Sequence, residues 1–124
     1  MKFLRPEQAI DQINAGHAIE QWLGHHDAPK YRSIRWLRIE RQKDGTINLA
    51  RFEVFDQGNP EMLDIYSFDP VDPDQPNGAI AEFRTPEAAI AAARNLGANL
   101  DEYVGGGAIQ DIYGAFLAEP GPIP

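Results

Sequence analysis

Ser33–Phe55 reads SIRWLRIERQKDGTINLARFEVF, two apolar-rich runs on either side of Asp44-Gly45, and this stretch decides the fold. Successive side chains of a strand point to opposite faces. Asp-Gly is a favoured dipeptide for a two-residue hairpin turn with positive φ. A hairpin closed on Asp44-Gly45 sets Ile39 opposite Ala50, Leu37 opposite Phe52 and Arg35 opposite Val54. The other face then pairs Glu40 with Leu49, Arg38 with Arg51, Trp36 with Glu53 and Ile34 with Phe55.

Met62–Phe68 (MLDIYSF) extends this pattern as a third strand. With Phe55 opposite Met62, Val54 and Phe52 meet Leu63 and Ile65 on the first face. On the second face Arg51 meets Tyr66, and Leu49 meets Phe68. Both registers place Leu37, Ile39, Phe52, Val54, Leu63 and Ile65 on one aliphatic face. That consistency specifies the sheet, because a one-residue slip would send every side chain to the wrong side.

The flanks supply the remaining elements. Pro6 suits a first helical turn with Glu7 beside it, Ala9, Ile10 and Ile13 share a side, and Gly16 is a stop, giving a helix over about residues 6–15. His17–Leu23 is short enough, with its Ile19 and Trp22, to fit helix or strand, and the strand is preferred; a Gly- and Pro-containing loop follows over 24–31. Three prolines in Asp69–Gly78 exclude a central strand, and Ala79–Phe83 forms a further one. Thr85-Pro86-Glu87 starts a helix that Gly97 ends. A short extended piece falls at 102–104. Ala108–Ala118 spaces Ile109, Ile112, Tyr113, Phe116 and Leu117 as a helix.

These elements predict an α+β fold, an antiparallel meander sheet of 4–5 strands with two or three helices packed on one face as a two-layer sandwich. A chain of 124 residues fits one domain. We expect it over residues 1–118, with a flexible proline-rich tail over 119–124.

Composition narrows the chemistry. The chain contains no cysteine, which excludes disulfides, thiol nucleophiles and cysteine metal sites. MKFLRPEQAIDQ lacks the apolar run of a signal peptide, and no stretch approaches the roughly 20 apolar residues of a spanning helix. We therefore expect a cytoplasmic protein with no membrane contact. The formal net charge of −8 opposes nucleic-acid binding, which draws its affinity from phosphate neutralisation. The charge is uneven. Lys30–Arg51 carries seven basic and two acidic residues, whereas from Phe52 onward two arginines face thirteen acids. Such asymmetry concerns partners rather than fold.

The second sheet face is the candidate site. Two arginines directly opposite each other repel unless an anion lies between them. Aromatic neighbours add stacking and cation–π contacts. Trp36, Arg38, Arg51, Glu53, Tyr66 and Phe68 are therefore the candidate partner- or ligand-binding residues. The competing reading is ordinary packing, with Glu40, Glu53 and Asp64 neutralising the arginines and a helix or the C-terminal segment covering the aromatics.

Other clusters carry less. His25-His26 in a loop, with His17 and Asp27, lacks a fixed ligand spacing, and neither Ser33 nor Ser67 lies on a nucleophile elbow. Asp69, Asp72 and Asp74 miss the calcium-loop pattern, which from Asp72 would need glycine where Asn77 stands. Gly105-Gly106-Gly107 precedes a helix but has no Lys-Ser/Thr after it and reads as a hinge.

We thus expect no catalytic residues, metal or cofactor. The expected function is a non-enzymatic acidic binding or regulatory protein that engages a protein partner or itself through the sheet face and the acidic surface (Asp64, Asp69, Asp72, Asp74, Asp101, Glu102). The alternative is a small-anion site, enzymatic or not, on the Arg38/Arg51 aromatic cluster.

Overall fold

The computed structural model describes residues 3–118. The expected tail, 119–124, lies outside them. In chain order the elements are α1 (Pro6–Asn14), β1 (Ile19–Asp27), β2 (Arg32–Arg41), β3 (Ile47–Phe55), a 3-10 turn (Ile65–Ser67), β4 (Ala79–Phe83), α2 (Pro86–Arg94), β5 (Val104–Gly105) and α3 (Ile109–Ala118). The strands form one five-stranded antiparallel sheet in the order β4-β3-β2-β1-β5, so β1 to β4 make a meander. The α+β class follows directly, with α1 and α2 laid on one sheet face.

The hairpin exists as expected, but its register is one residue away. β2 and β3 pair Leu37 with Arg51, Ile39 with Leu49, Arg38 with Ala50, Trp36 with Phe52 and Ile34 with Val54. The cause is the turn. The Gly45 amide donates to the Gln42 carbonyl at 3.0 Å and the Gln42 amide donates to Thr46 at 2.7 Å, leaving a loop of Lys43, Asp44 and Gly45. Gly45 sits at φ 90°, the left-handed position that follows a type I turn in a three-residue loop. Asp44 Oδ1 fixes it by accepting from the Thr46 amide at 3.0 Å and hydroxyl at 2.6 Å. One extra loop residue exchanges the faces of β3 relative to β2.

Two further expectations are corrected. Met62–Phe68 is not a strand. Ile65 and Phe68 are buried while Tyr66 is 42% exposed, an i, i+3 pattern that a 3-10 turn satisfies and an alternating strand does not. The segment that continues along β3 is residues 69–71, where the Phe55 amide donates to Asp69 and the Val71 amide to Glu53. Pro70 then limits that pairing. The expected loop over 24–31 is instead largely strand. β1 runs on to Asp27 by bulging at Leu23, with Gly24 at φ 100°. An extra residue of this kind needs a glycine-type backbone beside it.

Two cores result. On the first face Ile19, Leu37, Ile39, Ile47 and Leu49 pack against Ala9 and Ile13 of α1 and Ala89, Ile90 and Ala93 of α2. On the second face Ile34, Trp36 and Val54 pack against Ile65, Phe68, Ile109 and Tyr113. The alanines of α2 bring that helix close to the sheet. Its N-terminus is capped by the Thr85 hydroxyl, which accepts from the Ala88 amide at 3.1 Å. Among the described residues no helix is long and apolar enough to cross a membrane.

Candidate functional site

α3 and the 3-10 turn cover only the Ile34–Trp36–Val54 half of the second face. The other half can be mapped from the strand registers as cross-sheet rows. Trp22, Trp36 and Phe52 make one row, Glu20, Arg38, Ala50 and Ile80 the next, and Glu40, Asn48 and Glu82 the last. The first row is aromatic. Trp36 stacks on Phe52 at 4.9 Å between ring centroids, and the Tyr66 ring meets Trp36 edge-on at 6.2 Å. The remaining rows, apart from the buried Glu20, border an open trough.

Arg38 and Glu40 form the ridge of this trough, an exposed ion pair at 3.5 Å. On one side lies a cleft of ≈ 300 Å³ walled by Phe52 and Ile80 and floored by Ala50, with the amides of Asn48 and Asn77. On the other side lies a wider cleft of ≈ 600 Å³ reaching His17, Gly105 and Gly106. Ala50 makes the depth possible, because any longer side chain opposite Arg38 would fill the floor.

Behind Arg38 stands a buried carboxylate. Glu20 is 0% exposed. It accepts hydrogen bonds from the Tyr66 hydroxyl at 2.8 and 2.9 Å and from the Gly107 amide at 2.8 Å. Burial first, and then the Glu20 carboxylate, hold the Tyr66 phenol well above its usual range, so Tyr66 stays a donor. Glu20 also takes the amide that the glycine run would offer to an external phosphate, so Gly105–Gly107 is a tethered corner leading into α3. Nothing in HAIEQWL announces this role except a carboxylate between Ile19 and Trp22, residues that both reach the core.

The proposed site residues are therefore divided. Arg38 lines the trough, whereas Trp36 is buried in the second core with Tyr66 edge-on against it. Phe68 is buried beneath them, edge-on to Tyr113 at 5.6 Å. Arg51 and Glu53 face the opposite side of the sheet, so Arg38 and Arg51 do not share a pocket. There Glu53 accepts from the Ser33 hydroxyl at 2.6 Å and pairs with Arg35 at 3.2 Å. Burial alone would raise the Glu53 carboxyl, but the Ser33 hydrogen bond and the charge and hydrogen bond of Arg35, with the charge of Arg51 further off, bring it below its usual range. Asn48 and Phe52, which the sequence reading did not select, join the site because the true register brings them to this face, and Ile80 joins through the pairing of β4 with β3.

The Ser33 hydroxyl is not free to act as a nucleophile. Ser33 is fully buried with its proton on Glu53, although His26 lies opposite it in β1. His25 points to the other face, 5.1 Å from the Phe116 ring. Among the described residues no three His, Asp or Glu side chains come together to hold a metal ion. The Asp72 carboxylate in the 69–78 loop accepts from the Asp74 amide at 2.9 Å, an internal turn contact. Comparison with protein families, with curated proteins and with solved structures finds no match to this chain.

Proposed function

We propose that this protein is a non-catalytic binding module that takes an extended segment of a protein partner in the trough around Arg38. One observation carries the reading. The uncovered half of the second sheet face presents donors, acceptors and an apolar cleft side by side: Arg38, Glu40, Asn48 and Asn77 next to Phe52 and Ile80. A peptide backbone needs donors and acceptors in alternation, and its side chains need an apolar slot. A small anion would meet one arginine already paired with Glu40. A phosphate backbone would meet Glu40 and Glu82 in a chain of charge −8. A cytoplasmic location is part of this proposal and is consistent with the absence of cysteine.

Selection from a random peptide display library tests it. Peptides enriched on the wild-type protein are expected to bind at least about tenfold more weakly to Arg38→Ala, since a hydrogen bond to a charged group contributes about 1.5–3 kcal/mol. Ile80→Asp should weaken them as well. Arg35→Ala, on the opposite face, should bind them unchanged. Equal loss with Arg35→Ala, or indifference to both trough variants, would rule the trough out.

A further inference from the structure

We infer that two copies of this chain associate through β4 and α2, extending the sheet across a two-fold axis into ten strands. The inference rests on the sheet edge and α2 rather than on the trough. β4 is an outer strand. Four of its five residues are exposed, and Ile80 reaches 55%. An edge of this kind offers unpaired amides and carbonyls to another strand, and proteins usually guard it with lysine, proline or a bulge. Ala79–Phe83 (AIAEF) has none of these and carries a single charge, Glu82.

The partner that fits is the same chain, for reasons of charge. Residues 79–94 contain Glu82, Arg84, Glu87 and Arg94, a net charge of zero within a chain of −8. Repulsion between two acidic molecules is therefore low here. α2 is also self-complementary. Ala92 is partly buried in the cluster that contains α1, so it marks the flank of α2 facing the middle of the sheet. At 3.6 residues per turn, Glu87 and Arg94 lie together on the opposite flank, above the free edge of β4. Both are exposed, and neither forms an ion pair within the described residues.

Antiparallel pairing of β4 with its copy relates the two molecules by an axis perpendicular to the sheet. The two α2 helices then run antiparallel, which sets Glu87 of each beside Arg94 of the other. Spacing agrees as well. α2 packs over β3 and β4, so strands roughly 4.8 Å apart place the two helix axes about 10 Å apart, a packing distance for helices with small side chains. Such an axis keeps the second face of both copies on one side, and two troughs would open in the same direction.

Sedimentation velocity across micromolar to low millimolar concentration tests the inference. Wild type is expected to approach twice 13.8 kDa. Glu87→Arg alone and Arg94→Glu alone should each weaken dimerisation at least about tenfold, the factor that 1.4 kcal/mol represents. The double variant E87R/R94E should restore it, because the exchanged charges again oppose each other. Ile80→Lys should give monomer by guarding the edge. All these positions are exposed, and unchanged circular dichroism would verify the fold. A wild-type monomer throughout, or a dimer indifferent to the single charge reversals, overturns the inference. Glu87 and Arg94 lie outside the trough, so peptide binding by the reversed variants reports separately on the proposed function.

Discussion

Glu20 has no contact with solvent, yet its carboxylate ties three parts of the chain together: β1, the 3-10 turn through Tyr66, and the entry to α3 through Gly107. A buried carboxylate is tolerated when its lone pairs are filled by donors, and removing it strands those donors. Glu20→Ala is expected to destabilise the protein by about 3 kcal/mol, read as the midpoint shift in urea unfolding at unchanged slope. Tyr66→Phe should cost less, since the Gly107 amide still serves the carboxylate. A loss within 0.5 kcal/mol for Glu20→Ala, the range of ordinary surface substitutions, would show that the tether has no structural weight. On the other face, Ser33→Ala removes the hydroxyl that lowers the Glu53 carboxyl. A depressed carboxyl contributes stability above its unfolded value, and that contribution fades as pH falls through the folded value. The cost of Ser33→Ala is therefore expected to be about 1 kcal/mol at neutral pH and to shrink below about pH 4, as urea midpoints across that range would show. A cost that stays constant or grows in acid contradicts this linkage.

At the scale of elements, the central turn decides which residues share a face. Gly45 at φ 90° has open space around it, so an added methyl group meets no neighbour and only the backbone resists. Gly45→Ala should cost about 1–2 kcal/mol, the penalty for a left-handed residue with a side chain, measured by calorimetry. No loss would mean that the turn can adopt another conformation. This turn also shows what the sequence revealed and where it stopped. Alternating apolar residues around Asp44-Gly45 announce the hairpin, and the start of α2 at Thr85-Pro86-Glu87 and the helical spacing of α3 are equally legible. Asp-Gly, however, serves two-residue and three-residue loops alike. The choice depends on the Gln42–Thr46 and Asp44–Thr46 hydrogen bonds, which no periodicity encodes. A single residue of slip sent Arg51 and Glu53 to the first face and kept Trp36 and Arg38 on the second. MLDIYSF misleads for a related reason. Its apolar residues fit both a two-residue and a three-residue period, and burial of Ile65 with Phe68 selects the second. Glu20 could not be recognised as a tether, because Gly107 lies 87 positions away in the chain.

At the scale of the whole molecule, helices divide the sheet unevenly. α1 and α2 cover the aliphatic end of the first face, and α3 with the 3-10 turn covers the aromatic end of the second. What stays open on the second face is the Arg38 trough, and what stays open at the side is β4. The charge distribution follows the same division, with a neutral β4–α2 segment inside an acidic chain. Trough and edge meet at Ile80, so a dimer formed at β4 would set two trough mouths near each other and favour partners that present two segments. The most direct test of the trough is a map of backbone amide shifts during titration with a peptide selected on the wild-type protein. The largest shifts are expected at Arg38, Asn48, Phe52, Asn77 and Ile80, with the first face and the acidic part of the loop, residues 69–75, unmoved. Shifts centred on α1, on Arg35 and Arg51, or on the acidic loop would contradict this expectation.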